Sequence, residues 1–368
     1  MFAAAVRAPL LHARSIAVAL LVCAPLYPGD LATAFAQSAA CRRNGGSAEN
    51  WHEQNDGDLV RWRAHWSGTG CSIDIRSTGE IRFNDDFTDI SSIARGGWLE
   101  ITAMRNGLTR RLAMRSDGGR LSRVWSVNGR EMPWDDAARD WLADLLIELD
   151  RHTAAGVEYR YPKLFAQGGV AGVIDETEKM ESDYAQGVYL RKLIDRAKLT
   201  DDEFERVVSV VTRDMNSDYE MARILMSVAD KASLNDDSMR RAYLRGVERM
   251  SSDYERSRVL QVVVARSSNA PEVGSAAIKA AGSFHSDYER SRVLLAAIGN
   301  KVLDAGDVIP ILETVTKSSS DYEKARVMLA VAERWKLTGD ARKAYLRAAD
   351  TIRSDYENRR VLSALVNQ

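Results

Sequence analysis

A short motif, Ser-Asp-Tyr-Glu, recurs along the second half of the chain and constrains its fold more than any other feature. Its aspartates follow one another at intervals of 35, 35, 34, 34 and 34 residues, at Asp183, Asp218, Asp253, Asp287, Asp321 and Asp355. A fixed period of this length is typical of stacked arrays, in which each unit buries its apolar face against its neighbours. Each period contains two stretches with helical spacing of apolar residues. The sequence therefore predicts an α-solenoid of about six two-helix repeats of 34–35 residues.

The motif also predicts how each repeat begins. Ser-x-x-Glu is the sequence of a capping box, in which the serine hydroxyl accepts from the glutamate amide and the glutamate carboxylate accepts from the serine amide. We expect the tyrosine rings to pack between repeats, and an arginine three residues after the glutamate to form a ladder with neighbouring aspartates. We interpret the motif as structural; its display to a partner is the alternative. The full copies are Ser217, Asp218, Tyr219, Glu220 and Arg223; Ser252, Asp253, Tyr254, Glu255 and Arg258; Ser286, Asp287, Tyr288, Glu289 and Arg292; Ser320, Asp321, Tyr322, Glu323 and Arg326; and Ser354, Asp355, Tyr356, Glu357 and Arg360.

The two ends of the array differ from its middle. In the first copy, Ala185 and Val188 replace the glutamate and the arginine. Such a departure is expected where an array meets another domain. The last helix carries an apolar stripe formed by Val361, Leu362, Leu365 and Val366. This stripe packs either on the fifth repeat or in a homotypic contact between two copies of the chain.

Residues 58–152 have the pattern of a sheet domain rather than of a helical array. Residues 73–83 alternate apolar and polar side chains, which predicts two half-buried strands around a turn at residues 77–79. Asn-Gly pairs at 106–107 and 128–129 predict two further hairpins, because both residue types tolerate positive φ. These signals predict a small antiparallel meander of about five strands.

An amphipathic helix follows the meander and is expected to cover it. Its apolar face is formed by Trp141, Leu142, Leu145, Leu146 and Leu149. Seven of the eight tryptophans precede residue 150, and we expect them to pack in the sheet core, with a sugar-binding platform as the alternative. The predicted fold class is therefore α+β: the meander domain, followed by the α-solenoid over residues 153–368.

The first 36 residues have the layout of a secretory signal peptide. Two arginines precede a short apolar run, and a small-residue site predicts cleavage between Ala36 and Gln37. No later stretch is long and apolar enough to predict a membrane span. We therefore expect an exported protein, periplasmic or secreted, with a loose segment over residues 37–57.

Two cysteines lie beyond the predicted cleavage site, Cys41 and Cys71. In an oxidising compartment such a pair predicts a disulfide bond. By loop-closure entropy the bond would contribute about 3–4 kcal/mol to stability. Two free thiols are one alternative, and lipidation of Cys41 after its Ser-Ala-Ala sequence is another.

The sequence lacks the motifs of common catalytic and metal sites. HExxH, CxxC and GxSxG are all missing, and the histidines show no ligand spacing. The 51 basic and 52 acidic residues balance, so no global field recruits nucleic acid. We therefore predict a non-enzymatic protein with no catalytic residue, no metal, no cofactor and no nucleic-acid partner. A hydrolase with an unrecognised site is the weaker alternative.

Several segments resemble a group of exported bacterial proteins of unassigned activity. These segments read GEIRFNDDFTDISSI, VNGREMPWDDAARDWLADLLIELDR and the repeated SDYE…RVL. Similar sheet-plus-repeat regions follow the membrane metallopeptidase of antibiotic-sensing regulators, and the repeats are loosely similar to HEAT and TPR arrays. The resemblance covers nearly the whole mature chain and implies a role in envelope sensing or signalling. It implies no protease activity, because this chain lacks the HExxH helix of the regulators.

These observations lead to one expected function and one alternative. The first is a scaffold that offers its α-solenoid surface to a protein or peptide partner. The alternative is a sensor of a small molecule or glycan, which would bind to the tryptophan-rich sheet.

Overall fold

The computed structural model describes Cys41, the backbone of residues 48–60 apart from 57–58, and residues 61–368 apart from 233, 235, 267–269 and 301. Residues Ala40–Gln368 belong to one compact unit. The predicted signal peptide and its cleavage site between Ala36 and Gln37 lie outside the described residues.

The sheet domain is an antiparallel meander that is larger than the sequence indicated. Its described strands are β1 (Ala48–Asp56), β2 (Leu59–Gly68), β3 (Cys71–Thr78), β4 (Ile81–Phe83), β5 (Ile90–Ile93), β6 (Trp98–Arg105), β7 (Leu108–Asp117), β8 (Arg120–Val127) and β9 (Arg130–Met132). Seven of them form one sheet in the order β1-β2-β3-β6-β7-β8-β9, and β4 and β5 form a separate hairpin. Strand β1 lies within the segment that was expected to be loose.

The two predicted Asn-Gly hairpins are confirmed, whereas the expected hairpin between β3 and β4 is wrong. Asn106 and Asn128 both have a φ of 49°, in the left-handed region. Strand β3 pairs with β6 instead of β4. Gly97 permits this pairing, because a Cβ atom there would lie 2.5 Å from the Thr78 carbonyl oxygen. Strands β4 and β5 form their own hairpin. The loop between them places Phe87 in the core of the sheet domain, where it is 1% exposed.

A helix covers the sheet as predicted. This helix, α1 (Asp136–Thr153), is capped at its N-terminus by the Asp135 carboxylate, which accepts from the Ala138 N–H at 3.1 Å. One apolar cluster joins the helix to the strands, and its helix members are Leu142, Leu145, Leu146 and Leu149. Three tryptophans belong to the same core, with exposed fractions of 7% for Trp62, 2% for Trp66 and 5% for Trp125.

The rest of the described chain is helical. Its helices are α2 (Val157–Thr177), α3 (Asp183–Arg196), α4 (Asp201–Asp214), α5 (Asp218–Lys231), α6 (Asp237–Arg249), α7 (Asp253–Arg266), α8 (Pro271–Ala281), α9 (Asp287–Gly299), α10 (Val308–Thr316), α11 (Asp321–Arg334), α12 (Gly339–Ala349) and α13 (Asp355–Val366). Helices α3, α5, α7, α9, α11 and α13 begin at the motif aspartates and stack on one another in one layer. The helices between them form a second layer.

The stacked helices share one core, so the predicted α+β fold class is confirmed. A single cluster of buried side chains runs from Ala154 to Leu365. Among the described residues of the array, this one cluster spans the repeats, as expected for a solenoid. Among the described helices, none has both the length and the apolar composition needed to cross a bilayer.

The C-terminal stripe packs back onto the array. Val361 is fully buried and Leu365 is 3% exposed. The Tyr345 hydroxyl donates to the carbonyl oxygen of Val361 at 3.0 Å, which fixes α13 against α12. Val366 is 77% exposed, so this part of the stripe faces solvent. A homotypic contact through this helix stays a prediction.

Candidate binding surface

The motif serines cap the helices that they precede. The Oγ atom of Ser252 accepts a hydrogen bond from the Glu255 N–H at 3.3 Å. The same bond, 3.3–3.4 Å long, occurs at Ser217, Ser286, Ser320 and Ser354. Each cap satisfies one N–H group of the first helical turn and contributes about 1 kcal/mol. The serine half of the predicted capping box is therefore present.

The motif aspartates link each repeat to the next one. Asp218 Oδ2 accepts from the backbone N–H groups of Ser251 and Ser252 at 2.9 and 2.6 Å. Equivalent bond pairs, 2.6–3.0 Å long, are accepted by Asp183, Asp253, Asp287 and Asp321. We call this arrangement the aspartate clasp. It joins the first helical turn of one repeat to the N-cap of the following repeat.

The clasp favours ionised carboxylates. Desolvation alone would raise the pKa of Asp287, but hydrogen bonds from Ser319 and Ser320 outweigh it and lower the pKa below its ordinary value. In Asp321, desolvation again acts upwards and the N–H groups of the following motif act downwards, with a net decrease in the pKa. Hydrogen bonds to a charged acceptor are among the stronger ones in proteins.

The glutamates have a different partner from the predicted one. The Glu255 carboxylate contacts Arg258 Nη1 at 2.9 Å, because the clasp already occupies the Ser252 amide. The same contact, 2.7–3.0 Å long, joins Glu289 to Arg292, Glu323 to Arg326 and Glu357 to Arg360. The reciprocal half of the capping box is therefore wrong. The predicted aspartate–arginine ladder is also wrong, since the aspartates bind backbone and the arginines bind glutamates.

The motif tyrosines are exposed, which corrects the prediction that their rings pack between repeats. Their exposed fractions run from 49% to 66%, while Val259 and Leu260, on the opposite side of α7, are almost fully buried. Other side chains, most of them aliphatic, fill the space between the helices, and none of the motif tyrosines belongs to that cluster. We call the set the tyrosine row, and its members are Tyr184, Tyr219, Tyr254, Tyr288, Tyr322 and Tyr356.

Each ring of the row after the first is covered by an arginine from its own helix. The Arg258 guanidinium carbon lies 5.4 Å from the centre of the Tyr254 ring. The same stacking, at 5.4–5.7 Å, joins Arg223 to Tyr219, Arg292 to Tyr288, Arg326 to Tyr322 and Arg360 to Tyr356. Residues four apart lie on the same helix face, so tyrosine, glutamate and arginine form one local unit. The arrangement displays a repeated, ordered aromatic surface.

A cluster of buried charges joins the sheet domain to the array, and the sequence analysis missed it. The carboxylate of Asp150, at the end of α1, accepts from the Tyr189 hydroxyl at 2.6 Å and from Arg160. Glu176 accepts two hydrogen bonds from Arg151, at 2.9 and 3.1 Å, and another from Arg160. We call these five residues the junction cluster. Asp150 and Tyr189 are fully buried and Glu176 is 3% exposed.

The pKa values of the two carboxyl groups in the junction cluster are shifted in opposite directions. Desolvation raises the pKa of Asp150, and the charge of Arg160 with the hydrogen bonds of Tyr189 and Gly156 offsets this only in part. Desolvation also acts upwards on Glu176, but the hydrogen bonds and charges of Arg151 and Arg160 outweigh it and lower the pKa to about 2. One signal could have revealed the cluster, because Asp150 directly follows Leu149 on the apolar side of α1.

Cys41 and Cys71 form a disulfide bond, with their Cα atoms 5.7 Å apart. The Glu148 carboxylate holds the same region in place. Its Oε1 atom accepts from the Cys41 N–H and from the Trp66 indole N–H, each at 3.0 Å. The disulfide thus connects the N-terminal side of the sheet domain to the first residue of β3.

Within the described residues, no group of three or more histidine, cysteine, aspartate or glutamate side chains has a metal-binding arrangement.

Comparison with protein-family models, with curated proteins and with solved structures finds no match for this chain.

Proposed function

We propose that this protein is an exported, non-enzymatic scaffold that binds a protein or peptide through the tyrosine row. The observation that supports this proposal is the 49–66% exposure of six tyrosines at one repeated position. Tyrosine and arginine are among the side chains that contribute most to binding energy at protein interfaces. A row that combines both, held in order by contacts within each helix, is suited to such a role.

The row offers aromatic faces and hydrogen-bond donors rather than net charge. Each arginine that covers a ring also contacts a glutamate, which balances its charge; Arg292 and Glu289, for example, are 3.0 Å apart. Neighbouring helices in such a layer lie about 8–10 Å apart. An extended peptide advances by about 3.3 Å per residue, so about three residues span the distance from one repeat to the next. We infer that the partner presents an extended segment that runs along the row.

The burial of three sheet tryptophans supports this proposal over the glycan-sensing alternative, while Trp98, Trp134 and Trp141 are half-buried. Trp62, Trp66 and Trp125 are 7%, 2% and 5% exposed. A sugar could contact these rings only if the sheet opened. Envelope sensing or signalling is the wider role that we propose, on the basis of the resemblance in sequence.

Photo-crosslinking from the row tests the proposal. A photoreactive phenylalanine analogue would replace Tyr254 or Tyr288 in the full chain, expressed in bacterial cells and irradiated. The matched control places the same analogue at Arg245, an exposed position on α6 in the other helix layer. We expect one discrete adduct from either row position and none from the control. Equal adducts from all three positions, or none from the row, would contradict the proposal.

A further inference from the structure

A groove lies where the sheet domain meets the start of the tyrosine row. It is open to solvent, has a volume of 850 Å³ and includes the first two rings of the row. The end of α1 forms one side of it through His152, and the N-terminal turns of α3 and α5 form the other. The groove is therefore built from the two domains together and continues into the proposed binding surface.

The ring of Tyr184 in this groove is the member of the row that lacks an arginine. The position equivalent to the stacking arginine is Val188. Among the described residues, no lysine or arginine is placed over the Tyr184 ring, which is 49% exposed. In the other five repeats the same ring face holds a guanidinium at 5.4–5.7 Å. The other five repeats thus show that this face of the tyrosine ring can hold a guanidinium group.

The arginine of the first repeat has a different position and a different partner. Arg191, two residues after Tyr189 on α3, contacts the Glu220 carboxylate of the next repeat at 2.6 Å. Gly187 makes this contact possible, because a Cβ atom there would lie 2.5 Å from Glu220 Oε2. The guanidinium of this repeat is therefore held by Glu220, on α5, and leaves Tyr184 uncovered.

The charges of the groove suit a cation. Its described lining includes the carboxylates of Glu181, Asp183 and Glu220, and none of its described lining residues is a lysine or arginine. Asp183 also accepts two backbone hydrogen bonds in the clasp, Glu220 is paired with Arg191, and Glu181 has an interaction partner as well. A guanidinium over an exposed aromatic ring is attracted by the negative face of the ring, and nearby carboxylates add to this attraction.

We propose that the Tyr184 groove binds an arginine side chain of the partner, which supplies the guanidinium that the first repeat lacks. The inference rests on the proposed function and adds the chemical class of one bound group. It predicts that the partner's extended segment carries an arginine at the end that meets the sheet domain.

A small-molecule titration tests the groove without the partner. The probe is N-acetyl-arginine amide, and its matched control is N-acetyl-citrulline amide, which has nearly the same shape and no charge. Ring-labelled tyrosine in the full chain gives the readout by NMR, with Tyr184 assigned from a Tyr184→Phe variant. We expect the arginine probe to shift the Tyr184 signal with about two- to five-fold higher affinity than citrulline, while the arginine-covered Tyr288 responds weakly. Equal affinities of the two probes at Tyr184 would overturn the inference.

A variant that places an arginine of the chain itself over the Tyr184 ring gives a second test. Val188→Arg recreates the arginine of the other repeats, and we expect it to weaken binding of the arginine probe at least about three-fold. Val366→Arg adds the same charge at the far, 77% exposed end of the array and should leave binding unchanged. Unchanged binding by a folded Val188→Arg variant would overturn the inference. The citrulline comparison measures binding to the wild-type chain, with Tyr184→Phe used only for assignment, and crosslinking from Tyr288 separates a failure here from a failure of the proposed function.

Discussion

At the scale of single residues, the motif aspartate determines which partners the glutamate and the arginine of the next repeat contact. Asp218 accepts hydrogen bonds from the two N–H groups that precede α7. Because these groups are satisfied, the Glu255 carboxylate contacts Arg258 instead, and Arg258 lies over the Tyr254 ring. The exposed surface of each repeat thus depends on a carboxylate in the repeat before it. The motif sequence predicts the serine cap. It does not show that the aspartate and glutamate carboxylates compete for the same backbone N–H group.

Removing one clasp should destabilise the array. Asp253→Ala deletes the acceptor of two N–H groups, those of His285 and Ser286, at 2.6 and 2.8 Å. We expect the free energy of unfolding to fall by about 1–3 kcal/mol, as measured by urea denaturation. Asp355→Ala is the matched control, because Asp355 holds the same helix position but clasps no following repeat in the described chain. The control loses only its interaction with the helix dipole, about 0.3–1 kcal/mol. Equal losses in both variants would contradict the role of the clasp.

At the scale of elements, the junction cluster fixes α1, α2 and α3 to one another. Arg160 of α2 contacts Asp150 of α1 and also Glu176, which lies beyond a break in α2 at Gly169, where φ is 58° and ψ is -148°. Tyr189 of α3 donates to the same Asp150 carboxylate. Removing one partner of a buried ion pair leaves an unpaired buried charge, which lowers the free energy of unfolding by several kcal/mol. These contacts set the position of the first repeat relative to the sheet domain, and hence the shape of the Tyr184 groove.

The stability that Glu176 provides should disappear in acid. Its folded-state pKa is about 2, below the ordinary value of 4.5, so its contribution is complete above pH 4.5 and is lost as the pH falls towards 2. At pH 7 we expect Glu176→Gln to lower the free energy of unfolding by about 3 kcal/mol, and this difference should shrink between pH 4.5 and pH 2. Urea denaturation at several pH values measures it.

Glu178→Gln is the control for this pH dependence. Glu178 follows the same helix but is exposed, and it contacts Arg213 at 2.9 Å on the surface. Surface pairs of this kind contribute about 0–1 kcal/mol. A difference for Glu176→Gln that stays constant down to pH 2 would show that the loss comes from packing rather than from charge.

At the scale of the whole molecule, the sequence was informative wherever local pattern decides structure. The period of 34–35 residues predicted the array because the repetition is visible directly in the sequence, and the Asn-Gly pairs predicted two hairpins because neighbouring residues decide a tight turn. Alternation could not show that β3 pairs with β6, since strand pairing depends on distant segments. Nor could the motif show that Tyr254 is exposed, because its position depends on which helix face meets the neighbouring repeat. The residues of the tyrosine row were therefore visible in the sequence, where their display to a partner was the alternative interpretation, but their exposure was not.

The described residues form two clusters of buried apolar side chains, one in the sheet domain and one along the array, with the junction cluster of charges between them. Two large cores connected by few elements can unfold at different denaturant concentrations. The chain offers a separate signal for each, because seven of its eight tryptophans precede residue 150 while the array is helical. Tryptophan fluorescence therefore reports mainly on the sheet domain, and circular dichroism at 222 nm mainly on the array.

Reduction of the disulfide should separate these two signals. The bond between Cys41 and Cys71 spans 30 residues and lies wholly in the sheet domain, where loop-closure entropy gives it about 3–4 kcal/mol. With a phosphine reductant, we expect the urea midpoint of tryptophan fluorescence to fall clearly and that of the 222 nm signal to fall much less. The double variant Cys41→Ser and Cys71→Ser should show the lower fluorescence midpoint without reductant and no further change with it. If reductant displaces both midpoints of the wild-type chain equally, the sheet domain and the array unfold as one cooperative unit, and the junction cluster couples them more strongly than their separate cores imply.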